Sequence, residues 1–266
     1  MYAFDYQRPS ALDEAVALLR DLDEPKVLAG GQTLLPTLKQ RLAQPGSLVD
    51  LSRIPGLSGI ERRGEGLFIG AMARHAQVAT SPLVQEVIPA LAELAGMIGD
   101  PAVRNRGTLG GSIANNDPTA DYPAACLGLG ASIVTNARTL VADDFFTGLF
   151  ETALGEDELV VGVEFPAPAR AGYAKFRNPA SRYAMAGAFV AQMADGVRVA
   201  ITGAGQGGVF RWAEAEEALH ADFRPESIAE LTLDASDIMS DLHGSADYRA
   251  QLVKVMTLRA LVAALR

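Results

Sequence analysis

Helices mixed with antiparallel strands, an α+β fold, are what this sequence predicts, and three observations carry the expectation. Apolar residues recur at helical spacing in some stretches and condense into short runs bounded by turn formers in others. Asp195-Gly196 joins the apolar runs Met185–Met193 and Val197–Thr202 as a two-residue hairpin does, so the sheet there is antiparallel. Pro166-Ala-Pro-Ala-Arg-Ala-Gly172 separates a longer first part from a shorter second one.

A chain of 266 residues suffices for one large domain or two modest ones. Its formal charge of -9 argues against nucleic acid as a partner, which requires a basic face. The same field repels phosphate, so any phosphate ligand must be held by local N–H groups. The single cysteine, Cys126, excludes an internal disulfide and a four-cysteine cluster. His75, His220 and His243 lie far apart, without the spacing of metal ligands. The start lacks an apolar signal core, and no run reaches about 18 apolar residues. A cytoplasmic location without a transmembrane segment is therefore expected.

In chain order, Ser10-Ala-Leu-Asp-Glu14 opens a helix with a capping signal, and Leu12, Val16 and Leu19 follow at helical spacing. Lys26–Ala29 is a strand, and Leu34–Leu42 a helix with Pro36 in its first turn. Leu48–Leu51 is a strand, and Gly59–Ile69 reads as a hairpin around Arg62–Gly66. A short helix follows His75, which reads as a structural hydrogen-bonding residue, and one long helix spans Pro82–Ile98. Thr119–Leu129 is helical; Ala131–Asn136, Leu140–Ala142 and Glu158–Phe165 are strands, with a turn and short helix at Asp143–Phe146. Tyr173–Arg177 precedes the two hairpin strands. Helices are expected at Arg211–His220, Ser227–Leu231 and Ser245–Leu265, the last packing a stripe of Tyr248, Leu252, Val255 and Val262 onto the sheet.

Two stretches stand out. Asp100–Pro123 shows neither helical nor strand period, yet places Gly107, Gly110 and Gly111 close to Ser112, Asn115, Asn116 and Asp117. Ala29–Leu35 sets a glycine pair between a strand and a helix. Consecutive N–H groups in such turns form anion-binding concavities, and a helix N-terminus adds to them. The two stretches read as halves of one cradle. Gly203-Ala-Gly-Gln-Gly-Gly208 matches the G-x-G-x-x-G pattern, but the strand before it is one arm of a hairpin, so a dinucleotide site is rejected there.

Ala29-Gly-Gly-Gln-Thr-Leu-Leu-Pro36, Ile69-Gly-Ala71, Thr108-Leu-Gly-Gly-Ser112, Asp117-Pro118, Asp121 and Tyr173-Ala-Lys175 together resemble the FAD-binding (medium) subunit of molybdenum hydroxylases, the carbon monoxide dehydrogenase and xanthine dehydrogenase family. The resemblance implies a two-lobed FAD-binding domain of the vanillyl-alcohol oxidase (PCMH) type, lobe 1 at 1–55 and lobe 2 at 56–166. A three-stranded antiparallel sheet with a helical layer would follow at 167–266. It implies that Leu28, Ala29, Gly30, Gly31, Gln32, Thr33, Leu34 and Leu35 wrap the FAD diphosphate, and that Thr108, Leu109, Gly110, Gly111 and Ser112 add contacts from the facing lobe. Asp121 would bind ribose or adenine-side hydroxyls, Ile98 would supply an apolar contact, and Leu159 and Lys175 would lie toward the flavin end. Gln32 stands where many carbon monoxide dehydrogenase-like members carry His.

The resemblance also implies partners: a large molybdopterin subunit and a small subunit with [2Fe–2S] clusters, in a dimer of heterotrimers. Electrons would pass through FAD to NAD, a quinone or another acceptor, with no catalytic residue and no metal on this chain. The lone Cys126 agrees, since no iron–sulfur cluster can sit here. Two rival readings are a stand-alone FAD-dependent oxidase of the vanillyl-alcohol type and a scaffold that has lost its flavin. Neither Cys126 nor His75 sits in a flavin-attachment motif, and Gly30, Gly31, Gly110 and Gly111 remain in place.

Overall fold

A computed structural model describes all 266 residues, arranged around three sheets and a small two-stranded ribbon. In the first sheet, β1 (Asp5–Gln7), α1 (Leu12–Asp21), β2 (Pro25–Leu28), α2 (Leu34–Lys39) and β3 (Ser47–Asp50) follow one another, with β3 between and parallel to the other two strands. β3 is buried throughout, as a covered central parallel strand must be. Ala15, Val16 and Leu19 of α1 cluster with Val49 of β3 and with Leu51, Ile54 and Leu57. The capping signal is half realised: the Glu14 carboxylate accepts from the Ser10 N–H at 2.8 Å, and no side chain caps the helix in the other direction. α2 ends at Lys39 rather than Leu42, because Arg41 takes a φ of +59° and leaves the helical region.

The second sheet is antiparallel. It begins with the expected hairpin of β4 (Ile60–Arg63) and β5 (Gly66–Gly70). Six helices follow: α3 (His75–Thr80), α4 (Pro82–Val87), α5 (Pro89–Gly96), α6 (Pro101–Arg104), α7 (Leu109–Asn115) and α8 (Tyr122–Leu129). Then come β6 (Ser132–Thr135), β7 (Thr139–Val141), α9 (Ala142–Phe145), the ribbon β8 (Phe146–Gly148) and β9 (Glu151–Thr152), and β10 (Val160–Phe165). The strand order is β4-β5-β10-β6-β7.

Two expectations fail in this part. Pro82–Ile98 is two helices, because Pro89 lacks an N–H and disfavours helical geometry in the residue before it; Ile88 sits at φ −140°, ψ 72°. Asp100–Pro123 is not irregular but carries α6 and α7. The Asp100 carboxylate accepts from the Val103 N–H and the Thr108 hydroxyl from the Gly111 N–H, capping each helix. Helices this short cannot display a period of about 3.6 residues over the window that reveals it.

The third sheet holds β11 (Arg170–Arg177), β12 (Ala184–Met193), β13 (Gly196–Thr202) and β14 (Phe210–Arg211), all antiparallel. Four strands replace the expected three, because Phe210 and Arg211 pair with Ile201 and Ala200 before α10 (Ala213–Ala221) begins. A 3-10 turn at Pro225–Ile228 and α11 (Ala246–Ala264) complete the chain. Phe189 and Ala191 of β12 join the core that contains α8, whereas Ala188 and Val190 join the core that contains α11. β12 is thus covered on both faces. The packed side of α11 is Leu252, Val253, Met256, Ala260 and Leu261. The expected stripe is wrong at two of its positions, since Tyr248 is 45% and Val262 43% exposed. The Gly203 turn is structural. A Cβ there would lie 2.3 Å from the Ala184 carbonyl oxygen, and the buried Arg249 guanidinium donates to the Gly203 and Met185 carbonyls at 2.9 and 2.8 Å.

α11 approaches β11 at Gly172, where a Cβ would lie 2.1 Å from the Ala260 carbonyl oxygen. Gly172→Val should therefore destabilise the protein by about 2 kcal/mol through overpacking. Chemical denaturation checks this, and an unchanged midpoint would mean the helix yields without cost.

Candidate functional site

The turn between β2 and α2 is the open element of the site. Gly31 holds a φ of +71°, which glycine adopts without strain. The N–H groups from Ala29 to Leu34 donate to no acceptor within the chain; the first internal bond of the turn is from the Leu35 N–H to the Gly31 carbonyl at 3.2 Å. These residues are half-buried to exposed, so the donors are accessible to a ligand. α2 is barely two turns long, and its dipole adds little to them.

The second glycine turn lies directly against the first. A Cβ on Gly30 would stand 2.3 Å from the Arg106 carbonyl oxygen and 2.7 Å from the Gly107 Cα, and one on Gly111 would stand 3.5 Å from the Ala29 Cβ. The two stretches singled out in the sequence are therefore brought together, but not as equal halves. The Leu109 N–H donates to the Ala73 carbonyl at 3.0 Å and the Gly110 N–H to the Ala71 carbonyl at 2.8 Å. The Gly111 and Ser112 N–H groups bond to the Thr108 side chain and carbonyl. The donors of Leu109–Ser112 are thus spent inside the protein, leaving the Thr108 N–H free. Gly110 is required by packing: its Cβ would lie 2.5 Å from that of Ala71, so the residue makes room for the protein's own backbone rather than for a ligand.

A cleft of about 260 Å³ opens at this junction, with Ala29, Gly30 and Ser52 on one side and Arg74, Arg106 and Thr108 on the other. Met72 and Gln77 also line it, and no carboxylate does. Of the lining residues, sequence reasoning named Ala29, Gly30 and Thr108 and missed Ser52, Met72, Arg74, Gln77 and Arg106. Arg106 could have been noticed because it immediately precedes the Gly107 turn. Arg74 could not: an isolated β-bridge pairs it with Thr108, flanked by the bond from the His75 N–H to the Gly107 carbonyl at 3.0 Å. The open N–H run, the missing side chain at Gly30 and the absence of acids fit the diphosphate of FAD.

The other expected site residues scatter. Asp121, just before α8, is not free: the Tyr173 hydroxyl donates to its carboxylate, and Lys175 Nζ lies 2.8 and 2.9 Å from its two oxygens. The Lys175 side chain is completely buried. The pair joins α8 to β11, so an open carboxylate for cofactor hydroxyls is not what the structure presents. Leu159 is buried among Leu51, Ile54 and Leu57 beside the cleft, whereas Lys175 belongs to the third sheet; the two do not share one cluster. Ile98 is half-buried after α5, its carbonyl accepting from Arg104 at 3.0 Å. Leu28 and Leu35 pack beside Gly31, Leu34 is half-buried, and Gln32 and Thr33 are exposed.

His75 lies beneath the second turn. Its Nε2 is 2.5 Å from where a Gly107 Cβ would stand, and its ring centroid is 5.4 Å from that of Tyr122. The expectation of a hydrogen-bonded imidazole is met only by its backbone, since Nδ1 and the neighbouring Tyr122 hydroxyl have no partner in the chain. Burial, helped by the positive charge of Arg104, lowers its pKa from 6.5 to about 4. The neutral ring has no nucleophile to activate. Cys126 is fully buried, and burial pushes its thiol pKa up, which keeps it inert. No group of three or more His, Cys, Asp or Glu side chains could hold a metal.

Residues 2–168 match the family model described as the FAD binding domain in molybdopterin dehydrogenase. The chain is 38% identical to the carbon monoxide dehydrogenase medium chain of Hydrogenophaga pseudoflava, over 98% of this chain and 96% of that one. It is 37% identical to the nicotine 6-hydroxylase medium subunit of Paenarthrobacter nicotinovorans, over 98% and 97%. Among solved structures, carbon monoxide dehydrogenase from Hydrogenophaga pseudoflava lacking the Mo-pyranopterin moiety superposes with a TM-score of 0.90 at 39% identity, covering 99% of this chain and 98% of that one. Quinoline 2-oxidoreductase from Pseudomonas putida 86 gives 0.89 at 32% identity, covering 99% and 97%.

Two expectations follow from the side chains around the turns. Stability should fall as pH drops from about 6.5 to about 4, because the unfolded chain protonates His75 in that window and the folded one does not. The full loss is on the order of 3 kcal/mol, and His75→Phe should flatten that part of the profile. Urea unfolding at several pH values reads the slope; an identical slope in the variant would remove His75 as its source. Asp121→Ala should leave the Lys175 ammonium buried and unpaired, costing about 3 kcal/mol. A denaturation midpoint within error of the parent would contradict that.

Proposed function

The chain belongs to the family of FAD-binding domains of molybdopterin dehydrogenases, and from that premise we propose that it is the FAD-binding electron-transfer subunit of a heteromeric molybdenum hydroxylase. The observation that carries the proposal is the run of unpaired N–H groups from Ala29 to Leu34, held in backbone contact with the Arg106–Gly107 turn. That run would bind the FAD diphosphate, with Thr108 closing the cleft from the facing lobe. Bound FAD supplies a centre that takes up and passes on electrons singly or in pairs.

The chain's own part is to bind and orient. Gly30 keeps the two turns in contact, and the Asp121–Lys175 pair fixes β11 to the start of α8. We further propose the PCMH-type description, with lobes at 1–55 and 56–166 and a C-terminal domain at 167–266. The three sheets, at residues 5–50, 60–165 and 170–211, support this division. The hydrophobic cores run across it, since Leu159 packs with the first sheet and Tyr173 with the second.

Partners would be a large molybdopterin subunit and a small [2Fe–2S] subunit. Relatives named as medium chains or subunits support this, as does a chain with no cluster-forming cysteines. The stand-alone oxidase is less well supported for the same reason. No helix is long and apolar enough to cross a membrane.

The purified chain, mixed with FAD and freed of excess, should retain about one flavin, released on denaturation. Gly30→Val should weaken retention at least about ten-fold, because a side chain there parts the two turns. A parent chain that holds no flavin would end the proposal.

A further inference from the structure

We infer that Arg74 and Arg106 supply the charge of the diphosphate site, so that the cradle is a backbone nest on one side and an arginine pair on the other. The inference deepens the flavin-binding reading and rests on it. The second turn, expected to be a nest in its own right, has spent the N–H groups of Leu109, Gly110, Gly111 and Ser112 inside the protein. One nest alone faces a ligand bearing about two negative charges, in a chain whose formal charge is -9.

The missing compensation is at hand. Arg74 and Arg106 both line the cleft. The Arg106 backbone touches Gly30, and Arg74 is bridged to Thr108, so both positions are fixed by the same contacts that bring the turns together. Some arginines elsewhere, such as Arg62, Arg63 and Arg138, are paired with carboxylates and others, such as Arg53 and Arg170, are not, but only Arg74 and Arg106 line this cleft. Arg74 and Arg106 form no ion pair, and no acid lines the cleft to compete for them. The result is a local positive site on an acidic protein. A guanidinium matches phosphate oxygens with parallel N–H donors and keeps its charge at every accessible pH. Both side chains are exposed, so they contribute little to the fold and are available to a ligand.

The test is FAD affinity of the full chain at several ionic strengths, for the parent, Arg74→Gln, Arg106→Gln, the double variant and the two Arg→Lys variants. Each Gln variant should bind FAD about ten-fold more weakly at low salt, a loss typical of a charge-assisted hydrogen bond. Each should also flatten the salt dependence, and Lys should restore part of both. A weaker affinity with unchanged salt dependence would mean that the arginines only shape the turns, and the inference would fall. So would unchanged affinity in the double variant. A parent that binds no FAD at all refutes instead the flavin-binding reading. Because circular dichroism registers unfolding independently, and the parent's own salt dependence needs no variant, a salt-independent parent affinity also overturns the inference.

Discussion

α8 has no polar face. All of its residues from Tyr122 to Leu129 are buried, so it must be covered on every side. One side is closed by α5, α7 and the second sheet's core; the other is closed by β12 and β13. This single requirement welds the second and third sheets into one body. Gly128 shows how tight the join is, since a Cβ there would lie 2.7 Å from the Phe189 ring. It also explains β12, which is sandwiched between α8 and α11 and therefore apolar along almost its whole length. The buried Asp121–Lys175 pair sits at the same seam. A buried ion pair is weak as a source of stability but costly to break, and so fixes how α8 and β11 meet.

The cleft depends on a second close approach, between Gly30 and the Arg106–Gly107 backbone. Its effect on the chemistry is unequal. The first turn keeps its donors because nothing in the chain reaches them. The second gives its donors to Ala71, Ala73 and Thr108, which anchors α7 to the end of β5. One turn thus keeps open donors and the other is a wall whose donors are spent. His75 fills the space behind that wall and is kept neutral by burial, so the wall carries no charge from beneath at neutral pH. Arg74 and Arg106 line the cleft that the wall bounds. Such an arrangement would let an acidic protein hold an anion without a broad basic surface.

The family resemblance and the physical reading point to the same cleft and part on which atoms face it. Gly30 and Gly31 serve the site through a backbone contact and a positive φ. Gly110 serves packing, although it lies in the same kind of motif. Asp121 and Lys175 complete each other. A glycine-rich motif records that backbone comes close to something; whether that something is a ligand or another strand is decided by what lies opposite.

By itself the sequence determined the local elements whose signals are local. The strands expected at Lys26–Ala29 and Glu158–Phe165, found at Pro25–Leu28 and Val160–Phe165, and the Asp195-Gly196 hairpin rest on turn chemistry and apolar runs, which act over a few residues. It also determined the position of the two glycine turns and the absence of any cluster-forming cysteine set. Only the tertiary structure decided the rest. α6 and α7 are too short for a period to show, and Phe210–Arg211 becomes a strand because Ala200 and Ile201 offer it an edge. The exposed side of α11 is set by how the helix rolls on β11 and β12, not by its composition. Which N–H groups remain open, and which arginines face them, depends on residues far apart in the chain meeting at one point, and no window of sequence contains that meeting.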